Sequence, residues 1–158
     1  MNQLKDMSDG EVLLSANSVI TQDFDQEKEL SAYIVTYIHE FCRDVLNDRL
    51  ISFEKNYHIC IWGDWKFKRD KRVDLLVRGE KGLYIIELKN PRYLAENRCA
   101  IGQLLNYGRE FLDSKKELVL VTTKFDIDTA KTIKYYGLPI RYIYMDREKM
   151  LEFKRFDE

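Results

Sequence analysis

The stretch RVDLLVRGEKGLYIIELKN, residues 72–90, decides the fold of this chain. Two segments rich in Val, Ile, Leu and Tyr, residues 72–78 and 83–89, flank the turn sequence GEKG. Short apolar segments joined by a Gly-containing turn are typical of a β-hairpin. We therefore predict two antiparallel strands, with Arg78 opposite Leu83 across the turn.

Three charged residues interrupt the predicted hairpin at its open end. Antiparallel partners keep a constant sum of residue numbers, so the same register places Asp74 opposite Glu87. Opposed side chains lie roughly 4.5–5.5 Å apart at Cβ, and like charges there repel each other. Lys89 lies two residues beyond Glu87 and therefore shares its face of the strand. The pattern predicts two acids and one lysine in close proximity.

Two interpretations of this charged group remain open. Lys89 could neutralise one carboxylate in an ordinary surface salt bridge, which contributes little to stability. Alternatively, the carboxylates bind a divalent cation, because Mg²⁺ is typically held by one or two carboxylates together with phosphate oxygens of a substrate. In that case Asp74 and Glu87 are ligands of Mg²⁺ or Mn²⁺.

An amphipathic helix is predicted before the hairpin, from Asp25 to about Asn47. Its apolar residues recur at helical spacing, at Leu30, Ile34, Ile38, Phe41 and Val45. Glu27 continues this apolar stripe, whereas Glu29 lies on another face of the helix. Glu27 could belong to a site, with Glu29 as the second choice, or it could merely interact with the helix dipole, as acids in a first turn commonly do.

The remaining pattern predicts strands at residues 57–65, 117–123 and 140–145, and helices at residues 94–114, 126–136 and 146–154. Residues 117–123, ELVLVTT, are almost continuously apolar, as in a buried central strand. The element order α-β-β-β-α-β-α-β predicts an α/β (α+β) fold in which helices flank a mixed central sheet. Gln103 and Tyr107 are four residues apart and share one face of the second long helix.

These residues carry a resemblance to a known family. Asp74, twelve intervening residues and Glu87-Leu88-Lys89 resemble the motif of the PD-(D/E)xK nuclease superfamily, with Val73 in place of the motif's Pro. Gln103 and Tyr107, in AIGQLLNYGREF, resemble the QxxxY motif of its RecB/NucS-type branch.

The resemblance implies a restriction-endonuclease-like core and Mg²⁺-dependent hydrolysis of DNA phosphodiester bonds. It implies that the backbone carbonyl of Leu88 joins the metal ligands and that Lys89 orients the attacking water or stabilises the transition state. It matches Glu27 to an active-site glutamate on the first helix, and it gives Gln103 and Tyr107 positioning roles.

A basic segment, KFKRDKR at residues 66–72, leads into the strand that carries Asp74. The net charge of −1 argues against nucleic-acid binding through overall charge, so any binding depends on local positive charge. The segment could be an ordinary solvated loop or a contact to the DNA backbone. The candidate contacts are Lys66, Lys68, Arg69, Lys71 and Arg72.

Length and composition set the wider expectations. The 158 residues, 45% apolar and 34% charged, indicate one domain of an ordinary globular protein, at residues 25–158, with residues 1–24 as an arm of no assigned role. No secretory signal or run of ~20 apolar residues is present, which predicts a cytoplasmic protein without a membrane partner. Three widely spaced cysteines indicate neither disulfides nor a zinc site.

The sequence thus predicts a metal-dependent deoxyribonuclease. The alternative is a catalytically inactive nucleic-acid-binding or assembly subunit that retains the nuclease fold. Fold-level analogy adds a homodimer as a hypothesis, since cutting both strands of a duplex often requires two copies of a small nuclease.

Overall fold

The computed structural model describes residues 27–61, 69–145 and 153–156, with side chains for residues 27–59 and 71–145. The elements in these ranges are α1 (Glu27–Thr36), α2 (Ile38–Asp44), β1 (Leu50–Ile61), β2 (Arg69–Gly79), β3 (Leu83–Lys89), α3 (Ala95–Arg109), β4 (Lys116–Thr122), α4 (Ile127–Tyr135), β5 (Ile140–Met145) and β6 (Phe153–Phe156). Residues 1–24, the predicted arm, lie outside the described ranges.

The described strands form one mixed sheet in the order β1-β2-β3-β4-β5-β6. The β1–β2, β2–β3 and β5–β6 pairs are antiparallel, whereas β3–β4 and β4–β5 are parallel. The predicted mixed sheet flanked by helices is therefore confirmed, and so is the interior position of residues 117–122. None of the described helices is long and apolar enough to cross a membrane.

Each face of the sheet packs against a pair of helices. Leu30 and Phe41, from α1 and α2, belong to the core on one face, and Leu104, from α3, belongs to the core on the other face together with Ile133 of α4. Strands β3 and β4 contribute alternate side chains to both cores. This explains their nearly continuous apolar sequence, because both faces of an interior strand are covered.

Four predicted elements differ from the structure. The first helix is interrupted at Tyr37, whose φ of −110° and ψ of 35° are not helical. The hydroxyl of the preceding Thr36 donates to the carbonyl of Ala32 at 2.8 Å, a contact that often bends helices. Strand β1 begins at Leu50 instead of residue 57, and α3 ends at Arg109 instead of residue 114. The predicted terminal helix at residues 146–154 is wrong at residues 153 and 154, which belong to β6, and its residues 146–152 lie outside the described ranges.

Other boundaries agree with the pattern. Strands β3 and β5 have the predicted limits, and α4 begins after Asp126, whose carboxylate accepts the N–H of Thr129 at 3.2 Å. Gly137 follows this helix with a φ of +58°, a conformation that glycine adopts without strain.

Candidate active site at the carboxyl end of β3

The predicted charged group is assembled where β3 ends. Lys89 Nζ lies 3.1 Å from Glu87 Oε1 and 3.9 Å from Glu27 Oε1. The Glu87 and Lys89 side chains are only 4% and 14% exposed, so their ion pair is buried. A surface salt bridge, the first interpretation of this group, therefore does not describe it.

Asp74 joins the group in a different way from the predicted cross-strand pair. The predicted pairs Arg78–Leu83 and Leu76–Ile85 are confirmed, but the β2–β3 pairing ends at Leu75 and Ile86. Beyond that point the Asp74 carboxylate accepts the backbone N–H of Leu88 at 2.8 Å. A side-chain acceptor thus replaces the backbone acceptor of a regular strand pair, and it draws the carboxylate toward β3.

A second irregularity lies beside Asp74 on the neighbouring strand. Strands β1 and β2 pair at Lys55–Leu75 and at Tyr57–Val73, and the intervening Asn56 has a φ of 50°. Asn tolerates this left-handed conformation better than most residues, and such strained positions are concentrated at functional sites. The only signal in the sequence was an Asn within an otherwise strand-forming segment.

Burial and mutual repulsion shift the acids of this site toward their neutral forms. Burial and the charge of Asp74 raise the pKa of Glu87 to about 8, although Lys89 opposes this shift. Burial also raises the pKa of Asp74, against the hydrogen bond from Leu88 and the charge of Lys89. One ammonium therefore does not compensate for the carboxylates around it.

The pKa of Lys89 is also raised, which for a lysine favours the charged form. Burial alone would lower its pKa, but the surrounding carboxylates of Glu87, Glu27 and Asp74 outweigh burial and raise it. The lysine therefore remains an ammonium donor at neutral pH.

The second oxygen of Glu87 is the least satisfied atom of the site. Oε2 is buried and accepts no hydrogen bond within the described part of the chain. The Asp74 carboxyl is within hydrogen-bonding reach of Glu87, so the pair can share a proton without metal, whereas two ionised carboxylates have no proton to share. A buried carboxylate oxygen without a donor is costly, and a bound cation would satisfy it. The donor set thus fits the predicted metal site.

Glu27 lies at the first turn of α1 and contributes to the same charged group. Burial raises its pKa, the charge of Lys89 opposes the shift, and the charges of Asp74 and Glu96 reinforce it. The backbone N–H of Asn90 also donates to its carboxylate. The structure therefore brings Glu27, the first choice of the sequence analysis, to the site.

Helix α3 covers the site from the other face of the sheet. Tyr107 is buried, and burial together with the charges of Glu87 and Asp74 raises its pKa to about 12. Gln103, one turn earlier, has a buried Oε1 that accepts no hydrogen bond from the described residues. Tyr107 is thus brought within electrostatic range of both carboxylates, and Gln103 lies one helical turn away.

A cavity of about 200 Å³ opens beside the carboxylates of Asp74 and Glu27, and neither Glu87 nor Lys89 lines it. Asp74 and Leu88 line it from the sheet, and Glu27 lines it from α1. Lys28 and Lys55 also line this cavity and add positive charge next to the acids. Both lysines were missed in the sequence, because neither belongs to a motif and only the packing of α1 beside β1 brings them together.

The predicted basic contacts are only partly described. Lys66 and Lys68 lie outside the described residues, and Arg69 begins β2 without a described side chain. Lys71 is half-buried, and Arg72 is exposed. Their contact with DNA stays a prediction.

The described residues contain no group of three or more acidic, His or Cys side chains arranged to hold a metal ion. A Mg²⁺ site needs fewer, since one or two carboxylates with water and substrate oxygens are sufficient. No protein-family model and no curated protein matches the sequence. The resemblance to PD-(D/E)xK nucleases therefore rests on the motifs themselves.

Proposed function

We propose that this protein is a metal-dependent nuclease of the PD-(D/E)xK type that hydrolyses DNA phosphodiester bonds. The observation that carries the proposal is the buried Glu87, whose Oε2 has no donor among the described residues while Asp74 adds a second negative charge. A protein that needed only structural support at this position would satisfy or remove such a carboxylate. A divalent cation would satisfy both acids.

Asp74 and Glu87, with the backbone carbonyl of Leu88, would hold Mg²⁺ or Mn²⁺. The bound ion supplies Lewis-acid chemistry, which acidifies a water molecule and offsets negative charge on the phosphate. The hydrogen bond from the Leu88 amide to Asp74 limits the rotation of that carboxylate. Ligands are thus oriented before substrate binds.

Lys89 would donate a hydrogen bond to the negative charge that develops in the transition state. Its Nζ lies 3.1 Å from Glu87 Oε1 and 3.9 Å from Glu27 Oε1. An ammonium has three N–H donors, so a phosphate oxygen or the attacking water can receive one of them. A fixed donor stabilises charge in the transition state without reorganisation. Glu27 acts as a positioning residue for Lys89, and Tyr107 and Gln103 position the acidic pair from α3.

The substrate phosphate would approach through the cavity lined by Lys28 and Lys55. These lysines offset the repulsion that a polyanion meets near three carboxylates, and phosphate contacts of this kind supply affinity without base specificity. The basic segment at residues 66–72 would extend this contact along DNA. A cytoplasmic location and a homodimer that cuts two strands belong to the same proposal.

The test is incubation of the protein with labelled single-stranded, duplex and branched DNA in Mg²⁺, Mn²⁺ or EDTA. Cleavage should require the cation. Glu87→Gln keeps the shape of the side chain but removes its charge, so cleavage should fall by at least about 100-fold while DNA binding persists. Glu110→Gln, at an exposed acid after α3, is the matched control and should cleave normally.

Full activity in EDTA would contradict the metal requirement. DNA binding without cleavage under every metal condition would instead assign the chain to the alternative, an inactive binding or assembly subunit. Equal loss of folding and binding in Glu87→Gln would make Glu87 a structural residue.

A further inference from the structure

A second polar cavity lies at the opposite end of the parallel strands. Its volume is about 370 Å³, and it opens where β3, β4 and β5 begin. The charged and aromatic side chains that line it are Lys81, Lys115, Lys116, Arg141, Glu117 and Tyr84. Four cationic side chains thus line the cavity with one carboxylate, that of Glu117, and the Asp48 carboxylate lies beside Lys81 and Tyr84 in its wall.

The walls of this cavity are held by specific contacts. The Asp48 carboxylate accepts the Lys81 N–H at 3.0 Å and the Tyr84 hydroxyl at 2.8 Å, which joins the β2–β3 turn to the segment before β1. At Gly79 a Cβ atom would collide with the Asp48 carboxylate, and at Gly82 it would collide with the Lys115 carbonyl. Both glycines are therefore needed for this close approach.

Contacts within the chain hold three of the four cationic groups, those of Lys81, Lys116 and Arg141. Lys116 Nζ donates to the carbonyls of Gly108 and Phe111 at 2.6 Å, and Lys81 Nζ donates to the Asn47 carbonyl at 2.6 Å. An ammonium has three donors, so each lysine retains at least one for a ligand. Arg141 is 5% exposed, and its Nε lies 3.0 Å from Glu117 Oε1. The positive charge is preorganised, which lowers the cost of binding an anion.

This cavity is separate from the candidate active site. Tyr84 lines it, whereas Leu88 lines the acidic cavity, and four residues of a strand span about 13 Å. Ligands of parallel sheets usually bind at the carboxyl ends of strands, so a positively charged cavity at the amino ends is not explained by the fold.

We propose that this cavity binds a small phosphate-bearing anion, either inorganic pyrophosphate or the diphosphate of a nucleotide. The four cationic side chains outnumber the carboxylates of Glu117 and Asp48, which favours an anionic ligand, because each lysine and arginine can donate to phosphate oxygens. The volume lies at the lower end of the range for small-molecule sites, which fits a diphosphate with or without a nucleoside. The inference does not rest on the proposed nuclease activity.

The test is a titration of the ¹⁵N-labelled full chain with pyrophosphate, with ADP and with a single-stranded oligonucleotide, each in EDTA without divalent cations. Pyrophosphate or ADP should shift the amide signals of Lys81, Gly82 and Lys115, while those of Leu88 and Lys89 stay in place. Because EDTA removes metal from the carboxylates, this experiment is insensitive to failure of the nuclease proposal.

Charge variants test the specificity of binding. Lys115→Glu should weaken binding by at least about tenfold, because it replaces an attraction by a repulsion. Lys81→Gln should weaken it by roughly threefold and covers the case in which the first variant fails to fold. Lys131→Glu, at an exposed position on α4, makes the same charge change elsewhere and should alter the dissociation constant less than about twofold. Tighter binding of pyrophosphate would indicate a site for the free diphosphate, and tighter binding of ADP would indicate a site for a nucleotide.

Three results would overturn the inference. The first is the absence of shifts at Lys81, Gly82 and Lys115 in millimolar pyrophosphate or ADP. The second is an equal loss of affinity in Lys115→Glu and Lys131→Glu, which would indicate attraction by overall charge. The third is binding of the oligonucleotide alone at these amides, which would make the cavity a nucleic-acid contact.

Discussion

Asp48 and Glu87 are buried carboxylates at opposite ends of β3, with 7% and 3% of their surfaces exposed, and they differ in the donors around them. Asp48 accepts hydrogen bonds from the amides of Arg49 and Lys81 and from the Tyr84 hydroxyl. Burial by itself would raise the pKa of Asp48, but these hydrogen bonds outweigh it and lower the pKa. Around Glu87 the balance is reversed, because burial and the charge of Asp74 raise its pKa to about 8.

The comparison teaches that burial of a carboxylate does not by itself indicate a ligand site. Asp48 accepts hydrogen bonds from donors within the chain and joins two loops, so its charge stabilises the fold. Glu87 has one oxygen without a donor among the described residues, and its neighbour is a second acid. Such a carboxylate is stable in its charged form only when something positive binds. Substitutions at five positions test this contrast.

Asp48→Ala should have the largest effect on stability. It leaves the buried Tyr84 hydroxyl and the Lys81 amide without their acceptor, so the free energy of unfolding at neutral pH should fall by about 1–3 kcal/mol. Because the folded pKa of Asp48 is lowered, its contribution is present above the unfolded value and is lost as the pH falls through the folded value. Urea unfolding at neutral and acidic pH measures both effects. A loss of less than a few tenths of a kcal/mol at neutral pH would show that Asp48 contributes little to stability, which contradicts the contrast with Glu87.

The effect of Glu87→Gln on the free energy of unfolding in EDTA should depend on pH in the opposite direction from that of Asp48→Ala. Between the unfolded pKa, near 4.5, and the folded pKa, about 8, the folded wild type retains a proton that the unfolded chain has lost. Wild-type stability therefore decreases as the pH rises through this window, and glutamine has no such dependence. Relative to the wild type, the free energy of unfolding of the variant should therefore rise by on the order of 1 kcal/mol or more between about pH 5 and about pH 9. A difference that is constant with pH would show that Glu87 titrates normally.

Each of the two regions contains an asparagine in the left-handed conformation next to an aspartate, which allows a further comparison. Asn47 has a φ of 53° beside Asp48, and Asn56 has a φ of 50° beside Asp74. Asn56→Gly should change stability by no more than a few tenths of a kcal/mol, whereas Asn56→Val should cost about 1 kcal/mol, because a β-branched residue is strained at positive φ. Matched substitutions at Asn47 should give the same pair of values. Thermal melts decide this, and an unstrained Asn56→Val would place Asn56 in an ordinary strand conformation.

Asp74→Asn should have the smallest effect in EDTA. It relieves the repulsion with Glu87 while an oxygen remains to accept the Leu88 N–H, so the variant should match the wild type or exceed it by a few tenths to about 1 kcal/mol. In saturating Mg²⁺ the wild type should gain stability through binding, whereas the variant should gain little. Melting temperatures of both proteins with EDTA and with Mg²⁺ test this. An equal gain in both would exclude Asp74 from the metal site.

Local patterns predicted the strands of the hairpin and its register near the turn, because alternation and turn chemistry depend on residues close in sequence. They placed Asp74, Glu87 and Lys89 together for the same reason. The helical stripe predicted Glu27 as the residue to match to the site, although only the packing of α1 beside β3 shows its contact with Lys89. The end of the pairing at Leu75 and the backbone of Asn56 were not predictable, since regular alternation assumes regular strands.

The sequence by itself determined where β2, β3, β4 and β5 lie along the chain and which residues are available for a site. It determined this because periodicity and turn residues act over a few positions. Only the tertiary structure decided the environment of each charged group. Asp48 carried no signal in the sequence, and two of its three donors, the Lys81 N–H and the Tyr84 hydroxyl, lie more than 30 residues away. Whether a buried carboxylate is satisfied depends on contacts between distant segments, which no local pattern encodes.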